Sequence, residues 1–454
     1  VVVVGDPKQM PPTPGAGETR GEQAPEADSI LTRCLDSELL QHRLTWHYRS
    51  RDESLVAFSN RHYYDGRLLT FPSPLTIVPG SDAAPGGHGI SLRRVRGRYF
   101  RPEDRARHSS ASPNTNPHEA QRVVEEVLRH VEASPDHLPS LGVITFNDRQ
   151  RDLIENRLRE AASPRVIEAL DARDGLFVRN LENVQGEERD TILFSVTFAA
   201  NSRGDLPLNF GVLNHAGGER RLNVAITRAR RQIIVFTSFD PQDLHAERTA
   251  HRGVKDLRAY LHRAAEGRAP RALPASQSPL NWHRREIAEA LKAAGLTVHT
   301  GVGHSTFEID LVLARADQPD RPTVAVLLDG PQWDKREGVV DRDLLPVDVL
   351  RTMGWQRVER VWMPEWLADP QAVVARLVKA AGGRWTPPTP TVAGPEPQCT
   401  GQAEDTAPLA DDGAEADARA VADTGSADTA PTSGPRASGE EYTSWNPAGV
   451  RPLE

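Results

Sequence analysis

Three arginines at fixed spacing are the residues of this sequence best suited to chemistry. They are Arg221, Arg228 and Arg230, in the segment RRLNVAITRARRQIIVF that runs from residue 220 to residue 236. A guanidinium group stays charged and presents a fork of donors that matches phosphate oxygens. A helix with these arginines that runs into a strand would aim one of them at a nucleotide held by a neighbouring domain. A solvated basic helix beside a buried strand is the alternative interpretation.

Short apolar runs predict the elements that position these arginines. The runs VVVV, LGVITF, TILFSV and QIIVF lack polar alternation, which is typical of strands buried on both faces of a parallel sheet. Segments such as AQRVVEEVLRHVEA and NDRQRDLIENRLREA place apolar residues at spacings of three and four, which predicts covering helices. We therefore expect a doubly wound α/β domain with its working loops at the carboxyl ends of the strands.

Four further segments precede the arginine segment in a fixed order. They are VVVVGDPKQMPPT from residue 1, LTWHYRSRDESLVAFSNRHYYDGRLLTFP at 44–72, LGVITFNDRQRDLIENRL at 141–158 and VRNLENVQGEERDTILFSV at 178–196. The five segments together resemble the motifs of superfamily 1 helicases, in the branch of the nonsense-mediated-decay helicase and its RecD-like relatives. The resemblance covers residues 1–245. It implies a RecA-like domain of the AAA-type P-loop NTPase fold, and an ATP-dependent helicase acting on single-stranded DNA or RNA.

The resemblance also implies catalytic roles for Gln9, Arg49 and Arg228. Gln9 would touch the γ-phosphate of ATP or the attacking water. Arg49, in the segment HYRS, is the first candidate for stabilising the transferring γ-phosphoryl group, and Arg228 is the second. An arginine supplied across a cleft makes hydrolysis depend on domain closure. Without a partner domain, both would be ordinary surface arginines.

Nucleotide and strand contacts are implied for two other segments. The family pattern Gln-Gly-x-Glu-x-Asp maps onto Gln185, Gly186, Glu188 and Asp190. It implies that Gln185, Gly186 and Glu188 contribute to cofactor binding, with Glu188 at the ribose or coupled to the strand-binding loop. Thr145 matches the residue that holds a nucleic-acid phosphate through its hydroxyl and a nearby amide. A threonine that caps its turn is an equal alternative.

Two parts of such a motor are missing from the sequence. They are the phosphate loop G-x-x-x-x-G-K-[ST] and the Asp-Glu pair with which the family holds Mg²⁺ and orients water. We therefore expect residues 1–30 to be the end of a first motor domain, and the missing N-terminal helicase domain to supply the sites for ATP and Mg²⁺. On this expectation the chain is the C-terminal part of a longer or split protein and does not hydrolyse ATP alone.

Residues 279–383 show a different order: helix, hairpin, strand, helix, strand. This segment resembles the Vsr-like branch of the PD-(D/E)xK nucleases, which implies a restriction-endonuclease-like α/β domain. In that fold three acids bind Mg²⁺ and activate water for phosphodiester cleavage. Glu286 and Asp310 match the first two acids.

The third acid of the nuclease pattern is replaced by Leu327. Leucine cannot bind a hard cation, and Asp329 is no automatic substitute because side chains alternate along a strand. We expect a degraded nuclease site, with Glu286, Asp310 and Asp329 as its remaining candidate metal ligands, in a domain kept for binding or docking.

Composition divides the remaining chain. The whole chain carries a formal net charge of −8, and residues 385–454 alone contain 12 acidic residues against three arginines. We expect residues 31–245 to be the second RecA-like domain, 246–278 a linker and 384–454 a disordered acidic tail. No apolar run is long enough to span a bilayer, and two cysteines suggest no disulfide framework, so a cytoplasmic protein is expected.

Two hypotheses follow from these patterns. The first is a motor half that completes an ATP site and carries a nuclease-like appendage. The second is a non-catalytic module, in which an incomplete motor and an inactive nuclease fold hold nucleic acid or a partner.

Overall fold

The computed structural model describes residues 2–10, 29–37, 39–76, 87–101, 112–201, 205–266, 282–336 and 338–383. All of these residues belong to one compact unit. The tail predicted for 384–454 lies outside the described residues.

The larger sheet has five parallel strands, and three of them coincide with the predicted runs LGVITF, TILFSV and QIIVF. Its strand order is β3-β7-β6-β4-β5. The strands are β3 (Gly89–Arg94), β4 (Leu141–Thr145), β5 (Phe177–Asn180), β6 (Arg189–Ser195) and β7 (Ala229–Thr237). All five residues of β4 are buried, since a central parallel strand is covered on both faces.

Helices cover both faces of this sheet, so the domain is a doubly wound, RecA-like α/β fold. One face packs against α3 (Pro117–Glu132), α4 (Asp148–Glu160) and α5 (Pro164–Asp171). The other face packs against α2 (Ser54–Tyr63), α6 (Gly218–Ile226) and α7 (Arg252–Glu266). Neighbouring residues of β7 point to opposite faces of the sheet. Ile233 packs in the core beneath α2, α6 and α7, and Ile234 packs in the core beneath α3, α4 and α5.

The helix α7 lies within the segment predicted as a linker. Val254, Leu257 and Leu261 are spaced by three and four residues and are fully buried against the sheet. The folded domain therefore continues to Glu266, and the amphipathic spacing is the signal that the boundary placed at 246 overlooked. The remainder of that segment, residues 267–278, lies outside the described residues.

The run VVVV was predicted to be a buried strand, and this prediction was wrong for its described part. Residues 2–4 are not a strand, and the exposed fractions of Val2 and Val4 are 87% and 78%. A strand needs a neighbour to accept its ladder hydrogen bonds, and none of the described strands pairs with this segment.

The second sheet has four strands in the order β11-β10-β9-β8. Strands β8 to β10 are antiparallel, and β11 is parallel to β10. The strands are β8 (Leu296–Val302), β9 (Ile309–Arg315), β10 (Val324–Leu328) and β11 (Arg357–Val361). The helices are α8 (Trp282–Ala293), α9 (Pro331–Asp334), α10 (Leu345–Thr352), α11 (Met363–Ala368) and α12 (Pro370–Ala380), with a π-helical turn at Val340–Leu344 before α10.

Two small elements complete the described fold. The helix α1 spans Ile30–Asp36, and strands β1 (Trp46–His47) and β2 (Leu69–Thr70) form a separate parallel pair. Among the described residues, every helix is too short or too polar to cross a membrane.

Candidate functional site

Arg228 lies at the junction between α6 and β7. Its Nε donates a hydrogen bond of 2.8 Å to the carbonyl oxygen of Val224, and one terminal nitrogen donates to Thr227 Oγ1 at 3.1 Å. The residue is only 4% exposed. Burial, and then the nearby charge of Arg49, lowers the pKa of the Arg228 guanidinium to about 10. The guanidinium therefore remains charged at neutral pH.

Arg49 follows β1 and lies close to Arg228, although the two residues are distant in sequence. Its Nε lies 2.9 Å from Glu188 Oε2, and Glu188 Oε1 lies 3.7 Å from a terminal nitrogen of Arg230. Arg230 Nε in turn lies 2.8 Å from Asp190 Oδ1. The described carboxylates thus neutralise Arg49 and Arg230, whereas none of them forms an ion pair with Arg228.

His47 shapes the turn that carries Arg49. Its Nε2 accepts a hydrogen bond from the Ser50 amide at 3.3 Å and lies 2.9 Å from Ser50 Oγ. Burial, then Arg49 and then Arg228, lowers the pKa of His47 to about 4. A neutral imidazole is therefore present at physiological pH, and it can hold the turn without adding charge to the arginines.

Gln9 belongs to a turn that docks on α6, the helix that ends two residues before Arg228. Its side-chain amide donates to Asp6 Oδ2 at 2.9 Å, and the Tyr64 hydroxyl donates to the same oxygen at 2.8 Å. The side-chain amide of Asn223, on α6, donates to the carbonyl oxygen of Lys8 at 2.9 Å. The structure therefore brings the predicted catalytic residues Gln9, Arg49 and Arg228 into one region, with the Gln9 amide engaged by Asp6.

The loop containing Gln185 and Gly186 leads to Glu188. Gly186 has a φ of +91° and open space where a Cβ would lie, so it is in a backbone conformation that favours glycine. Glu188 is engaged with Arg49, which is a contact that the resemblance did not imply. The predicted role of Glu188 at a ribose remains a prediction.

Thr145 ends β4 and is fully buried. Its hydroxyl donates to the carbonyl oxygen of Asn147 at 2.9 Å, and Asn147 Oδ1 accepts the Gln150 amide at the start of α4. The hydroxyl therefore closes the strand-to-helix turn, as the capping alternative describes. A phosphate contact at this turn remains a prediction.

Glu119 is a residue that the sequence interpretation missed. Its Oε1 accepts the Thr197 amide at 2.6 Å and the Ser195 hydroxyl at 2.7 Å, and its Oε2 accepts the Ser238 hydroxyl at 3.1 Å. Burial raises the pKa of this carboxyl to about 7. Thr197 has a φ of +71°, which is rare for a β-branched residue. The sequence did contain a signal for a buried role of Glu119, because this residue follows Asn116, the N-cap of α3, by three positions.

The predicted metal ligands of the second domain do not converge. Arg284, on α8, places its Nε 3.7 Å from Asp310 Oδ1, and Asp310 Oδ2 accepts the Leu328 amide at 2.8 Å. Glu286 is exposed, because two residues along a helix correspond to a rotation of about 200° and Arg284 already faces the sheet. Both carboxylate oxygens of Asp329 accept the Met363 amide, at 2.9 and 3.0 Å.

The surroundings of Asp310 do not fit Mg²⁺. Leu327 is buried in an apolar cluster with Phe307, and no set of three potential ligands converges among the described residues. Burial raises the pKa of Asp310 to about 6, which the charges of Arg284 and Arg336 partly offset. Guanidinium groups therefore serve as counterions to this aspartate.

Comparisons with known proteins agree with two joined parts. Residues 27–240 match the family model of an AAA domain, and residues 283–381 match the family model REase_MTES_1575. An uncharacterized ATP-dependent helicase of Mycoplasma genitalium is 27% identical over 376 residues, which are 78% of this chain and 31% of that protein. Its Mycoplasma pneumoniae homologue is also 27% identical, over 378 residues, with the same coverage of both chains.

A more distant relative is the DNA-binding protein SMUBP-2 of Mesocricetus auratus. It is 26% identical over 257 residues, which are 54% of this chain and 23% of that protein. The chain thus spans about a third of the length of the two Mycoplasma relatives. These findings support a helicase-family AAA domain followed by a restriction-endonuclease-like domain.

Proposed function

We propose that this chain is the arginine-supplying part of an ATP-dependent superfamily 1 helicase that moves along single-stranded DNA or RNA. The domain that holds the ATP phosphates would lie against the surface formed by Gln9, Arg49 and Arg228. We call the assembly of this chain with such a phosphate-loop domain the complete motor. The chain covers 31% of its Mycoplasma relatives, which are named as ATP-dependent helicases, and this supports the proposal.

The buried guanidinium of Arg228 is the observation that carries the proposal. A buried charge is costly unless an opposite charge pairs with it, and no described carboxylate forms an ion pair with Arg228. The carboxylates of Glu188 and Asp6 offset this charge from a longer distance and only in part, so a γ-phosphate from the neighbouring domain would supply a direct counterion. Arg49 lies near enough to act on the same group, so the two arginines would stabilise the charge that develops during phosphoryl transfer.

The ion pair between Arg49 and Glu188 would belong to an open state of the site, in which no nucleotide is bound. We infer that Glu188 holds Arg49 until a nucleotide arrives, and that domain closure moves Arg49 from the carboxylate to the γ-phosphate. Gln9 would exchange its bond to Asp6 for the attacking water. The sequence contains neither the phosphate loop nor the family's metal-binding acid pair, so the chain's own residues bind, orient and neutralise charge without holding Mg²⁺.

The strand would pass over the carboxyl ends of the parallel strands, where Thr145 lies. Since its hydroxyl is engaged by Asn147, we assign the phosphate contact to the backbone amides of the turn after β4. Such contacts position a strand without reading its sequence. The same geometry serves DNA and RNA.

Reconstitution tests this function. The chain alone should show no ATP hydrolysis above background with single-stranded DNA or RNA, whereas the complete motor should hydrolyse ATP and be stimulated by the strand. Hydrolysis by residues 1–454 alone that is lost in Arg228→Ala would contradict the division of labour.

We propose that the second domain is a degraded nuclease with a binding or structural role. The observation in favour is that Arg284 lies against Asp310 while Glu286 faces solvent. A cleavage assay on single- and double-stranded DNA, with Mg²⁺ or Mn²⁺ present, tests this proposal. Metal-dependent cleavage that disappears in Asp310→Ala would contradict it.

A further inference from the structure

The strand β2 and the three residues that follow it belong to the motor domain and pack against the second domain. We call residues 69–73 the strap. Phe71 in the strap is 1% exposed and belongs to the core of the second domain, together with Phe307 and Trp355. The ring centroids of Phe71 and Phe307 are 4.6 Å apart. A side chain of the motor domain therefore completes the core of the restriction-endonuclease-like domain.

Backbone groups of the strap are also bound by the second domain. The Thr70 amide donates to Ser305 Oγ at 3.1 Å, and Ser305 Oγ donates to the Thr70 carbonyl at 3.0 Å. The indole Nε1 of Trp355 donates to the carbonyl oxygen of Pro72 at 2.8 Å. These bonds fix the path of the chain on either side of Phe71.

The strap lies beside the segment that carries Arg49. We call residues 46–53 the arginine loop. Its first two residues form β1, in which Trp46 is opposite Leu69 and His47 is opposite Thr70. The rings of Trp46 and Phe71 have centroids 4.9 Å apart. The beginning of the arginine loop is therefore held directly by the strap.

The end of the arginine loop is held by both domains. Glu53 accepts a hydrogen bond from the Thr70 hydroxyl and another, of 3.0 Å, from the His304 amide of the second domain. The Ser73 hydroxyl of the strap donates to the Arg51 carbonyl. On the motor side, the Arg51 amide donates to the Arg230 carbonyl at 2.6 Å. Arg49 thus lies between two points that the second domain fixes.

We propose that the restriction-endonuclease-like domain is a positioning element for Arg49. The pair β1 and β2 has only two residues in each strand, too few to be stable without packing against other elements. The second domain supplies that packing through Phe307, Ser305, His304 and Trp355. The inference rests on the proposed role of Arg49 at the nucleotide, and it gives the appended domain a function in ATP hydrolysis that needs no nuclease chemistry.

The test uses four variants of the second domain in the complete motor. Phe307→Ala removes the ring that contacts Phe71, and Phe307→Leu is its conservative counterpart. Trp355→Phe keeps an aromatic ring in the core and removes the hydrogen bond to Pro72, together with part of the volume of the buried indole. Leu377→Ala is the matched control, since Leu377 lies in the other core cluster of the same domain. Each variant is measured for kcat and KM of ATP hydrolysis and for amide hydrogen exchange of residues 46–53.

The expected result separates positioning from general stability. Phe307→Ala should lower kcat about 10- to 100-fold, the scale for misplacing a group that acts on the transition state, with KM for ATP within about twofold. Exchange in the arginine loop should become faster. Phe307→Leu should keep most of the wild-type kcat. Trp355→Phe should lower kcat about threefold. Leu377→Ala should keep the wild-type kcat and the wild-type exchange rate of the arginine loop.

Three outcomes distinguish failure of the inference from failure of the proposed function. Wild-type kcat in Arg49→Ala would overturn the proposed role of Arg49 at the nucleotide, and with it the positioning inference that rests on this role. A slow Arg49→Ala enzyme, combined with wild-type kcat and exchange in Phe307→Ala and Trp355→Phe, would overturn the positioning role alone. An equal loss of kcat in Leu377→Ala would also overturn it, because the effect would then follow domain stability.

Discussion

Glu188 and Arg49 form an ion pair, with 2.9 Å between Glu188 Oε2 and Arg49 Nε, although the two residues are 139 positions apart along the chain. Glu188 also lies near Arg230, so one carboxylate offsets two of the arginines around the proposed phosphate position. If Arg49 binds the γ-phosphate as proposed, the phosphate must compete with Glu188 for this guanidinium.

Replacing Glu188 should therefore strengthen anion binding. Glu188→Gln removes the competing charge while keeping the shape of the side chain. Tripolyphosphate binding to the chain, measured by calorimetry, should tighten about two- to fivefold, as expected for a half-exposed ion pair. The gain should disappear in the double variant Glu188→Gln with Arg49→Ala. Weaker binding in Glu188→Gln would show that Glu188 contributes a ligand contact instead.

The stability of the chain should depend on the ionisation of Glu119. Its pKa in the fold is about 7, above the ordinary value of 4.5, so the folded state binds this proton more tightly than the unfolded state. The stabilisation is complete below pH 4.5 and is lost as the pH rises through about 7. In Glu119→Gln, the denaturant concentration at the unfolding midpoint should change less between pH 5 and pH 8 than it does in the wild type. An unchanged slope would show that Glu119 does not titrate in this window.

Arg284 should stabilise the second domain through Asp310. Removing the guanidinium in Arg284→Ala leaves a buried carboxylate without its nearest counterion, which should cost about 1–3 kcal/mol at pH 8. The loss should shrink below pH 6, where Asp310 takes up a proton because burial raises its pKa to about 6. Urea unfolding at both pH values measures this, with Arg285→Ala as the exposed control. A pH-independent loss would exclude the electrostatic explanation.

Thr145 can be tested by removing its hydroxyl alone. Thr145→Val should lower the free energy of unfolding by about 1 kcal/mol, because the bond to the Asn147 carbonyl is lost in a buried turn. Affinity for single-stranded DNA should stay within about twofold, since backbone amides are proposed to make the phosphate contact. If affinity for single-stranded DNA became tenfold weaker while stability stayed unchanged, the Thr145 hydroxyl would make the phosphate contact itself.

The sequence predicted those features that depend on local pattern. The parallel sheet follows from apolar runs such as LGVITF. A helical segment followed by the apolar run IIVF predicted a helix-to-strand junction, and Arg228 lies there, between the end of α6 at Ile226 and the start of β7 at Ala229. The exposed position of Glu286 could have been anticipated from the apolar face of α8, which contains Ile287 and Leu291.

Contacts between distant segments could not be predicted in this way. Nothing local indicates that Glu188 pairs with Arg49, or that Phe71 enters the core of a domain more than 200 positions later. The run VVVV has the composition of a buried strand, yet Val2 and Val4 are exposed because no described strand pairs with it. Composition specifies what a segment can bury, and its partners decide whether it does.

The most direct test of the account is the single-turnover rate of ATP hydrolysis by the complete motor with Arg228→Ala. Loss of an arginine that stabilises the γ-phosphoryl group should lower this rate by about 10³-fold, while nucleotide affinity changes little. Arg228→Lys should remain slow, because an ammonium group cannot reproduce the guanidinium fork. Arg220→Ala, on the preceding helix α6, serves as the control and should hydrolyse ATP normally. A wild-type rate in Arg228→Ala would contradict the central claim.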